Sequence, residues 1–278
     1  MRQLGCRTNF ITSQTFLNPV QDDAVIDRPL APFFERVKVL PAYKAVSEAI
    51  EQRIVSGEIK PGVQLPTELQ LAHQFGVNRS TVREAIRQLE QEGLIERQGS
   101  KRLHVTLPGV YDAAPRAARS LLLHQVTFEE LWQVALVLEP ESARLAALAA
   151  SSGDLSELQE SLNALEDHFD AGGSIQSHTD LDIQFHALVA RISGNRALML
   201  AREPINLLYR PSLVRLQQKL PQLEKRNLEA HRQIVQAITS RKAELAYDWM
   251  RKHLVDFQRG YALAGLPINT PLQAMELA

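Results

Sequence analysis

From Thr127 to about Ala264 apolar residues recur at helical spacing, and no stretch alternates apolar with polar. This half of the chain can therefore bury its apolar surface only by packing helix on helix. A Thr127-x-x-Glu130 capping box opens a helix expected to run to Ala150, with Pro140 either kinking or dividing it. Leu155, Leu158, Leu162, Leu165 and Phe169 form the stripe of the next helix, which Gly172-Gly173 ends. Further helices are expected at about 177–193, 196–218, 222–239 and 241–262. The expectation is a bundle of six or seven helices over residues 119–264, followed by a frayed tail over 265–278.

The text before it is punctuated differently. Residues 1–35 mix Asn, Gln, Thr, Asp and Pro without a period and read as a flexible leader, with Phe33 and Phe34 available to dock. Between 36 and 106 the elements are short. Val46, Ala49, Ile50 and Ile54 mark a first helix that stops at Gly57. Thr67-Glu68-Leu69-Gln70 is a capping box for a second, ending at Gly76, and a third runs from about Ser80 to Glu92, with Val82, Ile86 and Leu89 inward. Leu94–Arg97 and Leu103–Thr106 then read as two strands around a Gly99-Ser100-Lys101-Arg102 turn. Residues 107–118 read as a linker. The fold class expected is mainly α: an N-terminal winged helix-turn-helix plus a C-terminal all-helical bundle.

Composition narrows the function. The 31 basic and 32 acidic residues leave a net charge of -1, so a nucleic acid could be held only by a local patch. One cysteine, Cys6, excludes an intramolecular disulfide framework and a Cys-rich zinc site. No apolar run approaches the ~20 residues of a membrane helix and no signal peptide is evident, so a cytoplasmic protein with no membrane partner is expected.

The local patch exists. Residues 36–106 hold 11 basic and 8 acidic residues. On the third helix Arg79, Arg83 and Arg87 are spaced by four and share a face opposite the apolar one. Asn78, Ser80 and Thr81 cluster at its N-terminus, where free N–H groups and short polar side chains suit phosphate. Guanidinium forks on such a helix can address guanine edges in a major groove. The competing account is a solvated face whose arginines pair with Glu84, Glu90 and Glu92.

The runs Leu65-Pro66-Thr67-Glu68-Leu69, Gly76-Val77-Asn78-Arg79-Ser80-Thr81-Val82-Arg83-Glu84-Ala85-Ile86 and Leu89-Glu90-x-x-Gly93-Leu94-Ile95 resemble the GntR family of bacterial transcription regulators. The resemblance implies that Arg79 and Arg83 address bases while Asn78, Ser80 and Thr81 contact the backbone; Thr67, Lys101 and Arg102 join them as candidate DNA contacts. Two features depart from the family pattern. Leu69 stands where an arginine is usual, and the Gly-x-Gly wing tip is replaced by Gly99-Ser100-Lys101-Arg102.

A second constellation lies in the helical half. Asp182 and His186, four apart, share one helix face, while His231 and His253 sit within the apolar stripes of two other helices. Each buried polar group left unpaired would cost ~1–3 kcal/mol. One divalent ion would satisfy all four, and a carboxylate with three imidazoles suits Zn, Ni, Co, Mn or Fe alike. His178, one turn before Asp182, is either a further ligand or a helix-start residue; each histidine alone is equally a core residue bonded to a neighbour.

Leu138-Glu139-Pro140-Glu141, Asp182-x-x-Phe185-His186, Ser193-Gly194-Asn195, His231-x-x-Ile234 and His253-Leu254 resemble the FCD-type ligand-binding domain of the FadR-like subgroup. That resemblance implies a metal site of one aspartate and three histidines beside a pocket for a small-molecule effector, often an organic acid. Ala135 replaces an arginine that usually helps hold the effector, so either the metal alone holds an acid, or Arg210 or another cation compensates, or the effector is not a simple carboxylate.

The reading is a DNA-binding regulator, a homodimer on two operator half-sites, acting as a metabolite-responsive repressor. A metalloenzyme with an attached DNA-binding domain is the alternative from another class, though no HExxH or nucleophile motif is present. A regulator with a structural metal or none, answering to an acyl-CoA-like effector, is the third.

Overall fold

A computed structural model of the chain describes residues 40–99 and 102–272, without the side chains of residues 110–112. The expected leader over 1–35, Phe33, Phe34 and Lys101 lie outside the described residues.

The first elements follow the punctuation of the sequence. Helix α1 (Ala42–Val55) buries Val46, Ile50 and Ile54. Helix α2 (Glu68–Phe75) starts at a complete capping box: the Thr67 hydroxyl accepts from the Gln70 N–H, and the Gln70 side chain accepts from the Thr67 N–H. It stops at Gly76, whose φ of 65° lies in the left-handed region that glycine enters without a Cβ penalty. The chain can then turn at once into α3 (Arg79–Gln91), capped by the Asn78 side chain accepting from the Thr81 N–H at 2.8 Å. Val82, Ala85, Ile86 and Leu89 on α3 are fully buried against α1 and α2. Strands β1 (Ile95–Gln98) and β2 (Arg102–Val105) pair antiparallel, Ile95 opposite Val105 and Gln98 opposite Arg102. The segment before α2 lies beside β2, with Leu65 N–H bonded to the Leu103 carbonyl and Val105 N–H to that of Val63. A winged helix-turn-helix results.

Seven helices follow among the described residues: α4 (Val110–Leu123), α5 (Phe128–Ala149), α6 (Ser152–Asp170), α7 (Ile175–Ile192), α8 (Arg196–Lys219), α9 (Leu223–Thr239) and α10 (Ala243–Leu263). Helix α10 lies against α5 and α9, α7 against α5, α6 and α8, and α4 against α8. Trp132 on α5 donates its indole N–H to the Leu254 carbonyl of α10, and Phe128 stacks on Tyr261 with ring centres 3.8 Å apart. No helix among the described residues is long and apolar enough to cross a membrane.

Three local expectations are corrected. Pro140 does not divide α5, which is continuous through it; the cost is one missing N–H bond to the carbonyl four residues earlier. Much of the stretch read as a linker is helical, because Ala114, Ala118 and Leu122 recur every fourth residue and are buried, and Pro115 is tolerated within α4. The tail is not frayed as far as it is described. Ile268 accepts from the Glu129 N–H at 3.0 Å, Leu272 donates to the Val126 carbonyl at 3.0 Å, and the Leu272 side chain is buried in the cluster around Phe128.

That docking is measurable. Leu272→Ala is expected to lower unfolding stability by about 2 kcal/mol, at the low end for a buried leucine, whereas Leu263→Ala, at a side chain 80% exposed, leaves the urea midpoint within error. Equal midpoints for the two variants would mean that the tail contributes nothing.

Candidate functional sites: a DNA-reading face and a buried Asp-His cluster

The amphipathic period that buries one side of α3 turns Arg79, Arg83 and Arg87 outward together, with side chains 57%, 55% and 59% exposed. With Thr67, Leu69 and Arg97 they line a shallow concavity. Its centre is Glu68, the first residue of α2. Its carboxylate faces Arg79 at 3.6 Å, Arg83 at 3.3 Å and Arg97 at 3.3 Å, and is only 15% exposed. Partial burial pushes the Glu68 carboxyl upward, but hydrogen bonds from Arg97 and Arg83 outweigh it and hold the group below the usual carboxylate range.

The competing account of the arginine face holds in part. Arg87 pairs with Glu84 at 2.8 Å and Glu90 with Arg97 at 2.8 Å, while Glu92 accepts instead from Gln88. Arg79 and Arg83 pair with neither, and it is Glu68 that they share. The Thr67 hydroxyl is engaged in the α2 cap, and Ser80 donates to the Asn78 side chain at 2.7 Å beside the α3 cap. Arg102 is exposed at the end of β2. Glu68 and Arg97 did not stand out in the sequence as functional residues, since Glu68 reads there as part of a capping box and of a family-like run, with no sign that it meets the arginines of α3.

Deep in the bundle, four side chains from three helices converge. Asp182 and His186 come from α7, His231 from α9 and His253 from α10, and one donor atom of each lies within 4.8 Å of all the others. All four are at most 5% exposed. His186 Nε2 and His253 Nε2 are 3.1 Å apart, and His231 Nε2 is 3.4 Å from Asp182 Oδ1. With metal–nitrogen bonds of about 2.1 Å, neighbouring donors on one ion stand roughly 3.0–3.4 Å apart. Asp182 Oδ1, both ring nitrogens of His231 and Nδ1 of His253 have no hydrogen-bond partner among the described residues. Burial first, then the neighbouring His253 and His186, push His231 well below the ordinary histidine value; burial and His186 bring His253 to about 4. Neutral imidazoles with unused lone pairs are what a divalent ion requires. The four residues fit one, and nothing in their chemistry selects among Zn, Ni, Co, Mn and Fe.

Two buried residues support the cluster from neighbouring helices. Glu139 on α5 stands 2.5 Å from His186 Nδ1 and 3.2 Å from Arg202 Nε on α8. Neither contact has hydrogen-bond geometry, but a carboxylate this close to Nδ1 favours the tautomer whose Nε2 presents its lone pair, as is usual behind a metal-binding histidine. Burial pushes Glu139 up, but Arg202, then His186 and His253, pull harder and lower it to about 2.

Beside the cluster is a small cavity, lined by Asp182, His186 and His253 together with Arg202, Asn206 and Tyr209. Arg202 Nη1 and the Tyr209 hydroxyl, both buried, have no hydrogen-bond partner among the described residues. Burial, then Glu139, raise Tyr209 well above the usual phenol range, which keeps it an O–H donor. Arg210 is not at this cavity. It forms a two-pronged pair with Asp180, at 2.8 and 3.1 Å, on the outside of the bundle. The cation inside is Arg202, which the sequence reading missed. His178 is buried but lies outside the cluster, with Nδ1 3.0 Å from Glu224.

Comparison with known proteins agrees with both halves. Residues 42–105 match the bacterial regulatory proteins of the gntR family, and residues 130–256 match the FCD domain. The chain is 30% identical over 227 residues to the Glc operon transcriptional activator of Escherichia coli K12, covering 77% of this chain and 86% of that protein. It is 28% identical over 216 residues to the HTH-type transcriptional repressor NanR of Salmonella schwarzengrund, covering 75% and 80%. Among solved structures, Streptococcus agalactiae GntR is similar with a TM-score of 0.59 and 31% identity, covering 78% of this chain and 99% of that one. These are transcription regulators and not enzymes. The chain thus belongs to the GntR family of bacterial regulatory proteins, as a DNA-binding transcription regulator with an FCD domain for its helical half.

Proposed function

We propose that this chain is a cytoplasmic, homodimeric, metal-containing repressor that binds two operator half-sites and releases them when a small organic acid enters the helical domain. The observation that carries the reading is a single cavity bordered by metal-ligand side chains and by a buried guanidinium with an unused N–H group. A divalent ion held by Asp182, His186, His231 and His253 would supply a positive centre for a carboxylate and an adjacent oxygen. Arg202 Nη1 and the Tyr209 hydroxyl are donors suited to a carboxylate, and they reach the same space from α8. The space beside the cluster is small, with room for only a few atoms, which favours a small acid over an acyl-CoA-like effector. On the DNA side, Arg79 and Arg83 are proposed as base readers, with Asn78, Ser80, Thr81, Thr67, Lys101 and Arg102 as backbone contacts. Glu68 is proposed to hold Arg79 and Arg83 in register before DNA arrives.

Effector and operator need only a coupling of about 1–3 kcal/mol, roughly 5–150-fold in affinity, to switch a gene. The relatives include an activator and a repressor, so the sign of regulation is tested by whether operator occupancy lowers or raises transcription of the adjacent gene.

Elemental analysis of the purified chain is expected to find about one transition metal per chain, lost in Asp182→Ala and His231→Ala. No metal after incubation with divalent ions would remove the ion from this reading. Arg202→Lys, which keeps a cation beside Glu139, is expected to raise the concentration of a responsive carboxylic acid needed for operator release by about 10-fold or more, since a lost hydrogen bond to a charged group is worth ~1.5–3 kcal/mol; basal operator affinity stays unchanged. Arg83→Ala is expected to cost ~1–3 kcal/mol on operator and far less on random DNA. Glu68→Gln is expected to narrow the same gap from the other side, by tightening binding to random DNA. Unchanged discrimination in both variants would overturn the base-reading assignment.

A further inference from the structure

Leu69 is the one apolar side chain in a concavity otherwise built from charged and hydroxyl groups, and it is 64% exposed there. Its neighbours in the first turns of α2 all have structural work. Glu68 holds the arginines, Gln70 closes the capping box, and Leu71 and Ala72 are buried in the core of the winged domain. Leu69 packs into no hydrophobic cluster among the described residues. It stands on the same concave face as Arg79, Arg83 and Arg87, so whatever duplex those guanidiniums engage also covers Leu69.

The chemistry of the covering surface decides what Leu69 can gain. Base edges in the major groove present hydrogen-bond donors and acceptors and a single apolar group, the C5 methyl of thymine. Pressing a leucine against a donor or acceptor strips water from it and returns no bond. Pressing it against the methyl removes apolar surface from water on both sides. A contact that costs at three bases and gains at the fourth is a selective one.

We propose that Leu69 reads the methyl group of one thymine in each operator half-site, beside the bases addressed by Arg79 and Arg83. This rests on the DNA-reading face proposed above, and the test separates the two. Operator sequences are first selected from random duplexes with the full-length protein. Each thymine of the selected half-site is then replaced singly by deoxyuracil, which lacks only the methyl, and dissociation constants are measured for wild type and Leu69→Ala. For wild type, one position is expected to lose about three- to tenfold in affinity, the scale of one buried methyl. For Leu69→Ala the same replacement is expected to be silent. A 5-methylcytosine pair at that position, which restores the methyl, is expected to recover binding relative to an unmethylated cytosine only in wild type. Leu69 is exposed, so the variant should keep the wild-type melting temperature.

If operator is selected and discriminated but no deoxyuracil effect depends on residue 69, the methyl contact is wrong and the DNA-reading face stands. If no sequence is enriched, and Arg83→Ala binds all duplexes as wild type does, both readings fail together.

Discussion

Burying Glu139 without losing its charge is the condition on which the bundle's interior rests. A carboxylate taken out of water is tolerated only when opposite charge and close polar groups replace its hydration, and both come here from other helices. Arg202 reaches it from α8 and His186 from α7, so three helices must arrive at fixed positions, α5 among them, for this one residue to be tolerated. The same contact orients His186 toward His253, 3.1 Å away on α10. Removing Arg202 would leave the Glu139 charge buried and uncompensated, a defect of about 3–5 kcal/mol. The polar centre therefore dictates helix placement as firmly as the apolar clusters around it.

Charge also suits what the cavity would take. A metal-ligand set presents neutral imidazoles and an ionised carboxylate. With Glu139 and Arg202 added, these six side chains carry one net negative charge. A divalent ion reverses that to one positive, and a monoanion entering beside Arg202 returns it to neutrality. An uncharged ligand would leave the positive charge buried and unscreened, at the cost general to isolated interior charges. The acid proposed above would thus balance this set of side chains whichever divalent metal they held.

Much of this was legible in the sequence because its signals are local. Capping boxes at Thr67 and Thr127, the glycine at position 76 and the fourfold spacing of Asp182 and His186 each need only a few consecutive residues. Polar residues set in apolar stripes, His231 and His253, identified inward faces of two helices, and that sufficed to assemble the cluster. Arg202 and Arg210 show where such reasoning stops. They are eight residues apart on α8, about 80° around a helix, so one faces the cavity while the other meets Asp180 in solvent. A helix carrying Pro204 and Pro211 with apolar residues on several sides offers no clean period from which to tell them apart. The tail's docking and the triple use of Glu68 are likewise contacts between distant segments, and no spacing rule encodes them.

The two halves communicate through few physical contacts among the described residues, and this limits how an effector can act. Arg202 belongs to α8, α8 packs on α4, and Arg116 on α4 donates to the carbonyl of Gln91, the last residue of α3, at 3.1 Å. A cation at that end of α3 also meets the negative pole of the helix that carries the reading arginines. An anion bound at Arg202 Nη1 would share the guanidinium with Glu139, which faces its Nε, and so would act on the packing of α8 against α5, where Glu139 resides. A shift of α8 must be answered by α4, since Ala114, Ala118 and Leu122 leave that helix little room to slide independently. A well-packed interface of this kind moves between discrete arrangements rather than deforming smoothly. Moving α4 carries Arg116 with it, and with Arg116 the C-terminal end of α3. On the function proposed above, this is the route by which a ligand of a few atoms would act on the end of α3 without touching it.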